Sequence, residues 1–274
     1  MFPLFRLLSR LPLRVLHGLG AGLGWLTWLS SSVYRRRMDE NLALAGLSKV
    51  RNAAIAEAGK AAAELPWIWC RPIDEVLGSM RACQGWEHVE AARAAGRGVI
   101  FLTPHLGCFE ISSLYASARI PITVLYRPPR KTTLEPIMRA GRERSQVQLA
   151  RTDIAGVRAL LKALKRNEAI GLLPDQVPSN GEGEWASFFG RPAYTMTLVG
   201  RLIESTNAAV LMVYVERLPR GAGYEIHFEP LKFAPGQSVT QQMNEALETT
   251  VRACPAQYLW SYRRYKVPAG VAAP

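Results

Sequence analysis

The chain has 274 residues, of which 49% are hydrophobic and 20% charged. That is enough for one sizeable catalytic domain with a small appendage, and the composition excludes a disordered chain. The net charge of +12 points to an anionic partner, for which nucleic acid, anionic lipid headgroups and an acidic carrier protein all qualify.

The first distinctive stretch is 15–34, VLHGLGAGLGWLTWLSSSVY, which holds no acidic or basic residue except His17. A helix of ~20 residues can cross the bilayer core. Trp25, Trp28 and Tyr34 suit the headgroup level, while Gly18, Gly20, Gly22, Gly24 and Ser30 to Ser32 weaken the apolar character. Arg6, Arg10 and Arg14 precede the stretch and Arg35, Arg36 and Arg37 follow it. The expectation is a membrane-anchoring helix, spanning or partly inserted. A cleaved signal peptide and a buried core helix are the alternatives. Equal arginine flanks leave the topology open.

After Arg37 the pattern turns helical over 38–64, 74–83 and 87–95. A short apolar run at 99–103 reads as a buried strand stopped by Pro104. A helix follows over 109–118, a strand over 121–126, a helix over 131–145 and a strand over 147–150. The segment 154–166 is an amphipathic helix, with Ile154, Val157, Leu160, Leu161 and Leu164 on one face. That face can pack on a sheet, lie on an anionic bilayer or meet an acidic carrier protein. A strand at 169–173 leads into a Gly/Ser/Pro-rich loop over 175–195. A helix over 196–206, strands over 208–216 and 224–229, and helices over 239–253 and 255–264 complete the reading. Alternation of this kind predicts an α/β fold with a mixed, largely parallel sheet flanked by helices. The expected division is an anchor over 1–37 and a catalytic domain over 38–274. The latter comprises a helical lead-in over 38–95 and an α/β core over 96–267.

Reactive groups in such sheets gather where strand ends meet the following loops. His105 sits at such a point, in TPHLGCFE over 103–110. Gly107 lets the backbone bend, and Glu110 falls near the start of the next helix. This spacing can turn the carboxylate back toward the imidazole, fixing one ring nitrogen and leaving the other as a base toward an alcohol. A surface histidine followed by a helix-start glutamate is the plain alternative. No GxSxG elbow, Walker A loop or dinucleotide glycine fingerprint is present. Cys70, Cys83, Cys108 and Cys254 form no CxxC or Cys/His cluster, so a structural zinc site is not expected. Cys108 remains a second candidate nucleophile.

TPHLGCFE is one of six pieces in a fixed order. The others are LYRPPR at 125–130, GRERS at 141–145, LLPDQ at 172–176, FFGRPA at 188–193 and QYLWSYRRYK at 257–266. Over about 95–267 the chain resembles the late acyltransferases of lipid A biosynthesis, and the N-terminal helix fits as well. The resemblance implies His105 as general base and Glu110 as its orienting partner. It also implies a thioester donor on acyl carrier protein and a phosphorylated, acylated glucosamine disaccharide as acceptor. No metal or organic cofactor is implied, and no nucleic acid. The expected location is an anionic membrane, the bacterial inner membrane, with the catalytic domain on its cytoplasmic face. Some members of the wider family acylate other lipids, including mannosylated phosphatidylinositol, so another lipid acceptor stays open.

Candidate substrate or oxyanion contacts are Arg127, Arg142, Arg144, Asp175, Arg191 and Arg264. A guanidinium can hold phosphate by two parallel hydrogen bonds or stabilise a developing oxyanion. Asp175 can position the acceptor or tie down an arginine. Arg263, Arg264 and Lys266, interleaved with Tyr262 and Tyr265, can meet anionic headgroups or form a solvated helix end. Two non-transferase readings remain: a basic membrane- or nucleic-acid-binding protein, and a hydrolase of the same architecture.

Overall fold

The computed structural model describes residues 2–128 and 132–274. The last two residues of LYRPPR and the first of the helix expected from 131 lie outside them.

Apolar runs with little alternation become strands buried on both faces. These are β2 (Val99–Leu102), β3 (Ile122–Tyr126), β5 (Ala169–Leu172) and β8 (Ala209–Arg217), with the partly exposed β4 (Val147–Arg151) at one edge. With β1 (Met80–Gln84) and β9 (Tyr224–Leu231) they form a seven-stranded sheet of order β1-β9-β8-β2-β5-β3-β4. Only β8 and β9 pair antiparallel, and every other neighbour is parallel. The expected mixed, largely parallel sheet is therefore present.

Helices cover both faces. One layer contains α3 (Ser32–Leu44), α4 (Arg51–Ala63), α10 (Ile154–Lys165), α11 (Leu198–Thr206) and α12 (Val239–Ala253). It buries Leu42, Ile55, Leu160, Leu202 and Leu247 against Ile100, Ile170 and Met212. The other contains α2 (Leu13–Ser30), α5 (Leu65–Cys70), α7 (Trp86–Ala94) and α8 (Glu110–Ser117). It buries Leu16, Ile68, Val89 and Leu114 against Phe101, Ile122 and Val213. The amphipathic helix over 154–166 is thus α10; its Leu160 and Leu164 pack on the sheet, while Ile154, Val157 and Leu161 line a cavity. Asp153 caps the helix, its carboxylate accepting from the Gly156 amide at 2.8 Å.

Several expectations change. The helix expected over 74–83 is the short α6 (Ile73–Leu77) followed by β1, whose mixed polar residues suit a sheet edge rather than a core strand. The loop expected over 175–195 contains a hairpin, β6 (Gly183–Phe188) and β7 (Arg191–Met196). Gly190 adopts φ 73° at its turn. The helix expected over 255–264 is one 3-10 turn, Pro255–Gln257, and then irregular chain.

The spanning form of the N-terminal anchor is not supported. Among the described residues no helix is long and apolar enough to cross a membrane. A Cβ on Gly24 would lie 2.1 Å from the Ile55 carbonyl oxygen, and one on Gly59 would lie 1.9 Å from that of Gly20. Gly20 and Gly24 are thus the surface by which α2 meets α4, backbone to backbone, while Gly18 and Gly22 face open space. His17 is buried on the same side. The opposite side of α2 exposes Val15, Leu19, Leu23, Leu26 and Leu29, next to Leu4 and Leu7 of α1 (Phe2–Ser9).

Candidate active site

β2 ends at Leu102, and the chain then turns through Pro104 and His105 into α8. Gly107 has φ 61°, and a Cβ there would meet the Val215 carbonyl oxygen at 1.9 Å. Only glycine fits that turn. The Gly107 amide donates to the Gln257 carbonyl at 3.0 Å and the Cys108 amide to the Val215 carbonyl at 2.8 Å. The Leu259 amide donates to the His105 carbonyl at 3.0 Å. The His105 turn is thus pinned between the end of β8 and the 257–259 segment.

The carboxylate that grips His105 is Asp175. It follows β5, the parallel neighbour of β2, so both strand ends open at the same edge of the sheet. His105 Nδ1 lies 3.0 Å from Asp175 Oδ1, and the His105 amide donates to Asp175 Oδ2 at 2.9 Å. With its proton on Nδ1, the imidazole has Nε2 left as an acceptor. Phe109 packs beside the ring at 4.7 Å, and Tyr262 stacks on it at 6.4 Å.

Glu110 does not take the orienting position expected from its spacing. Its two oxygens receive Arg142, with Nε at 2.8 Å and Nη2 closing the fork, and Trp69 Nε1 donates to it at 3.1 Å. Trp69 comes from α5 and Arg142 from the end of α9 (Glu135–Arg142). Gly141 makes room for the indole, since a Cβ there would lie 2.4 Å from Trp69. Glu110 remains close enough to act on His105 through its charge.

The ionisation of the group follows. Burial opposes the His105 cation, but the charge and hydrogen bond of Asp175, aided by Glu110, raise its pKa above the ordinary value. Burial also opposes both carboxylates. His105 nonetheless holds Asp175 below its usual range, and Arg142 does the same for Glu110. Cys108 is buried, and burial together with the Glu64 charge pushes its thiol well up, which removes it as a nucleophile.

The remaining sequence candidates scatter. Arg127 is exposed at the rim shared by two cavities. Arg144 directs its guanidinium to the carbonyls of Gly141, Arg71 and Ile68, so it braces backbone instead of facing a substrate. Arg264 is buried, donating to the Tyr194 carbonyl at 2.9 Å and to Asn244 Oδ1 at 3.2 Å. It cannot serve as a headgroup contact. Arg191 lies over the Tyr265 ring at 5.0 Å, on the exposed side of β7. Asp175, expected to position an acceptor or an arginine, is committed to His105.

A second polar cluster lies beneath the turn, and sequence reading did not find it. Arg217, at the end of β8, forks to Glu64, reaches Glu57 at 2.7 Å and donates to the Gly107 carbonyl at 3.2 Å. His17 Nε2 and the Tyr224 hydroxyl meet Glu64 at 3.1 and 2.9 Å. Arg217 holds the Glu64 carboxyl at about 2 despite the opposing effect of burial. These residues are too far apart in sequence to form a motif.

One cavity opens at His105, and a second adjoins it. An inner one of about 170 Å³ is bounded by His105, Phe109, Glu110, Phe101 and Val124. An outer one of about 430 Å³ lies between α10, α11 and the β6–β7 hairpin. Both include Leu125, Arg127, Leu172, Leu173 and Gln176. Among the described residues no cluster of side chains suits a metal ion. An Asp–His pair with a buried carboxylate, its imidazole lining a largely apolar cavity, can deprotonate an alcohol held against an acyl chain.

Residues 2–267 match the family described as bacterial lipid A biosynthesis acyltransferase. The lipid A biosynthesis lauroyltransferase of Escherichia coli K12 is 26% identical, covering 97% of this chain and 90% of its own. The palmitoleoyltransferase of lipid A biosynthesis from the same organism is 27% identical, over 79% of this chain and 69% of its own. The corresponding myristoyltransferase is 26% identical, over 67% and 58%.

Proposed function

Because this chain belongs to the bacterial lipid A biosynthesis acyltransferase family, it is an O-acyltransferase of lipid A assembly, and we propose that His105 is its general base. In this reading Nε2 takes the proton of an acceptor hydroxyl as the oxygen attacks a thioester carbonyl. The carbon–oxygen bond forms, the carbon–sulfur bond breaks, and His105 returns the proton to the departing thiolate. Asp175 holds the tautomer and stabilises the imidazolium. Glu110, locked by Arg142 and Trp69, adds negative potential and fixes the start of α8. The observation that carries the reading is the double grip of Asp175 on His105, at 2.9 and 3.0 Å, with His105 lining the inner cavity.

The donor is an acyl thioester on acyl carrier protein, and the acceptor is a hydroxyl of a phosphorylated lipid A precursor. The inner cavity, which contains His105, takes the donor chain. The outer one takes an acyl chain of the acceptor, with Arg127 at the common rim toward phosphate. The exposed leucines of α1 and α2, bordered by Arg10, Arg14, Arg35 and Arg36, rest on the anionic surface of the inner membrane on its cytoplasmic side. This places the acceptor within reach without a spanning helix among the described residues.

The test is transfer from purified acyl carrier protein thioester to a lipid A precursor, followed by mass spectrometry. Wild type should add one acyl chain, and His105→Ala should lower turnover ~10²-fold or more. A normally folded His105→Ala enzyme with near-wild-type turnover would reject the assignment.

A further inference from the structure

The inner cavity is shaped by one rung of the parallel sheet. Phe101 of β2 pairs with Gly171 of β5, Gly171 pairs with Val124 of β3, and Val124 pairs with Leu149 of β4. All four border the cavity. Paired residues in register point to the same face, so this is a row of three large side chains with a gap at its second position. The rung below, Val99, Ala169, Ile122 and Val147, is closed and buried.

A glycine inside a central strand costs conformational entropy and packs nothing. It is kept where space is needed. At Gly171 an added Cβ would sit 3.3 Å from Val124 Cγ2, 3.6 Å from Cγ1 and 3.8 Å from Ile122 Cδ1. It would therefore grow along the wall of the cavity, whose other members are these same side chains. The gap lies below His105 on the adjacent strand. The stretch from 101 to 105 spans at most roughly 13 Å at ~3.3 Å per residue. A chain whose carbonyl sits at His105 and whose tail runs down this cavity ends near the Gly171 rung.

We propose that Gly171 sets the length of the acyl chain the enzyme accepts, its missing side chain forming the end of the donor pocket. The proposal rests on the reading that an acyl thioester is the donor and that the inner cavity receives it. Chain length is then decided by the volume left between Phe101, Val124 and Leu149, not by contacts at the reacting carbonyl. Apolar pockets discriminate single methylenes by roughly 10- to 200-fold, so a change of one or two carbons here should be visible.

The experiment is a competition assay with full-length enzyme, a lipid A precursor and an equimolar ladder of saturated acyl thioesters on acyl carrier protein. Products are resolved by mass spectrometry. Gly171→Ala and Gly171→Val should lower the ratio of kcat/KM for long over short donors by ~10-fold or more, the valine variant more than the alanine one. Val124→Ala, which enlarges the same rung, should move the preference toward longer chains and covers the case in which Gly171→Val does not fold. Leu161→Trp, in the outer cavity assigned to the acceptor, should change use of the acceptor and not the ranking of donor lengths. If Gly171→Ala and Val124→Ala both transfer acyl chains with the wild-type length profile, the proposal is overturned and the acyl-transfer reading stands. If Leu161→Trp alone shortens the donor, the donor occupies the outer cavity and the proposal is equally overturned. A wild-type enzyme that transfers no chain from any thioester overturns the acyl-transfer reading itself, and this proposal with it.

Discussion

His105 and Asp175 stand 70 residues apart in the chain, yet one carboxylate holds both the ring and the backbone amide of the other residue, at 3.0 and 2.9 Å. The imidazole therefore has one permitted orientation and one permitted tautomer. Asp175→Asn should lower kcat by ~10²-fold or more, on the scale of general-base groups. The same change removes a charge that raises the His105 pKa. A general base at His105 acts as the neutral imidazole, so on the proposed reading wild-type kcat/KM should rise with pH through a value above the ordinary 6.5. In Asp175→Asn that acid limb should move to lower pH. A pH–rate profile with an unmoved limb would count against Asp175 as the partner.

Glu110 and Arg142 form the second pair, and they should behave as a unit. Removing one partner of a buried ion pair typically costs ~3–5 kcal/mol. Arg142 is not fully shielded, with its side chain 21% exposed, so the lower half of that range or less is expected. Glu110→Gln and Arg142→Met should each lower the melting temperature and turnover, while the double variant should be milder than the sum. Additive losses in a double-mutant cycle would mean that the pair is not coupled.

The arginines should divide by what they touch. Arg127→Ala should raise a substrate KM and leave the melting temperature near wild type, because Arg127 is exposed at the cavity rim. Arg264→Ala and Arg144→Ala should instead destabilise the fold, since each is spent on internal hydrogen bonds. Calorimetry alongside steady-state kinetics separates the two classes. A stable Arg264→Ala enzyme with a raised acceptor KM would reverse this division.

Acid should unfold the protein through its buried carboxylates. Glu64 is held at about 2 against an ordinary 4.5, mainly by Arg217 working against burial. Its contribution is fully present above the ordinary value and is lost as pH falls from about 4.5 through about 2. Glu110 and Asp175 add in the same direction. His105 runs the other way: its contribution is present below 6.5 and lost as pH rises through the raised value. Urea unfolding at stepped pH should show the acid decline, and Glu64→Gln should flatten it at the expense of stability at neutral pH.

The outer face of α1 and α2 should bind anionic vesicles. Leu19, Leu23 and Leu26 are exposed at helical spacing. Leu23→Glu with Leu26→Glu should lower co-sedimentation with vesicles containing anionic lipid while leaving the fold intact by circular dichroism. Binding that survives both changes would transfer the membrane contact to another surface.

Local pattern determined a good deal of this. The strands at 99–103, 121–126, 147–150, 169–173 and 208–216, and the helix at 154–166, are legible because continuous apolar runs and a helical apolar face leave the backbone few choices. The same holds for the His105 turn, where Pro104 and Gly107 mark a strand end and a bend. The six ordered motifs carried the family. Tertiary structure decided the rest. The spacing of Glu110 invited a local partnership with His105, but α8 carries its carboxylate toward Trp69 and Arg142. The neighbouring strand meanwhile delivers Asp175, because parallel strands collect their far ends at one edge. Gly20 and Gly24 of α2 read as weak points in a membrane span until α4 is seen lying against them. The β6–β7 hairpin lay inside what read as a loop. Arg264 and Arg144 read as substrate contacts until their donors are traced to backbone and buried side chains. A charge in a sequence carries no record of what neutralises it. That partner comes from whichever element the fold brings within about 3 Å, the reach of a hydrogen bond.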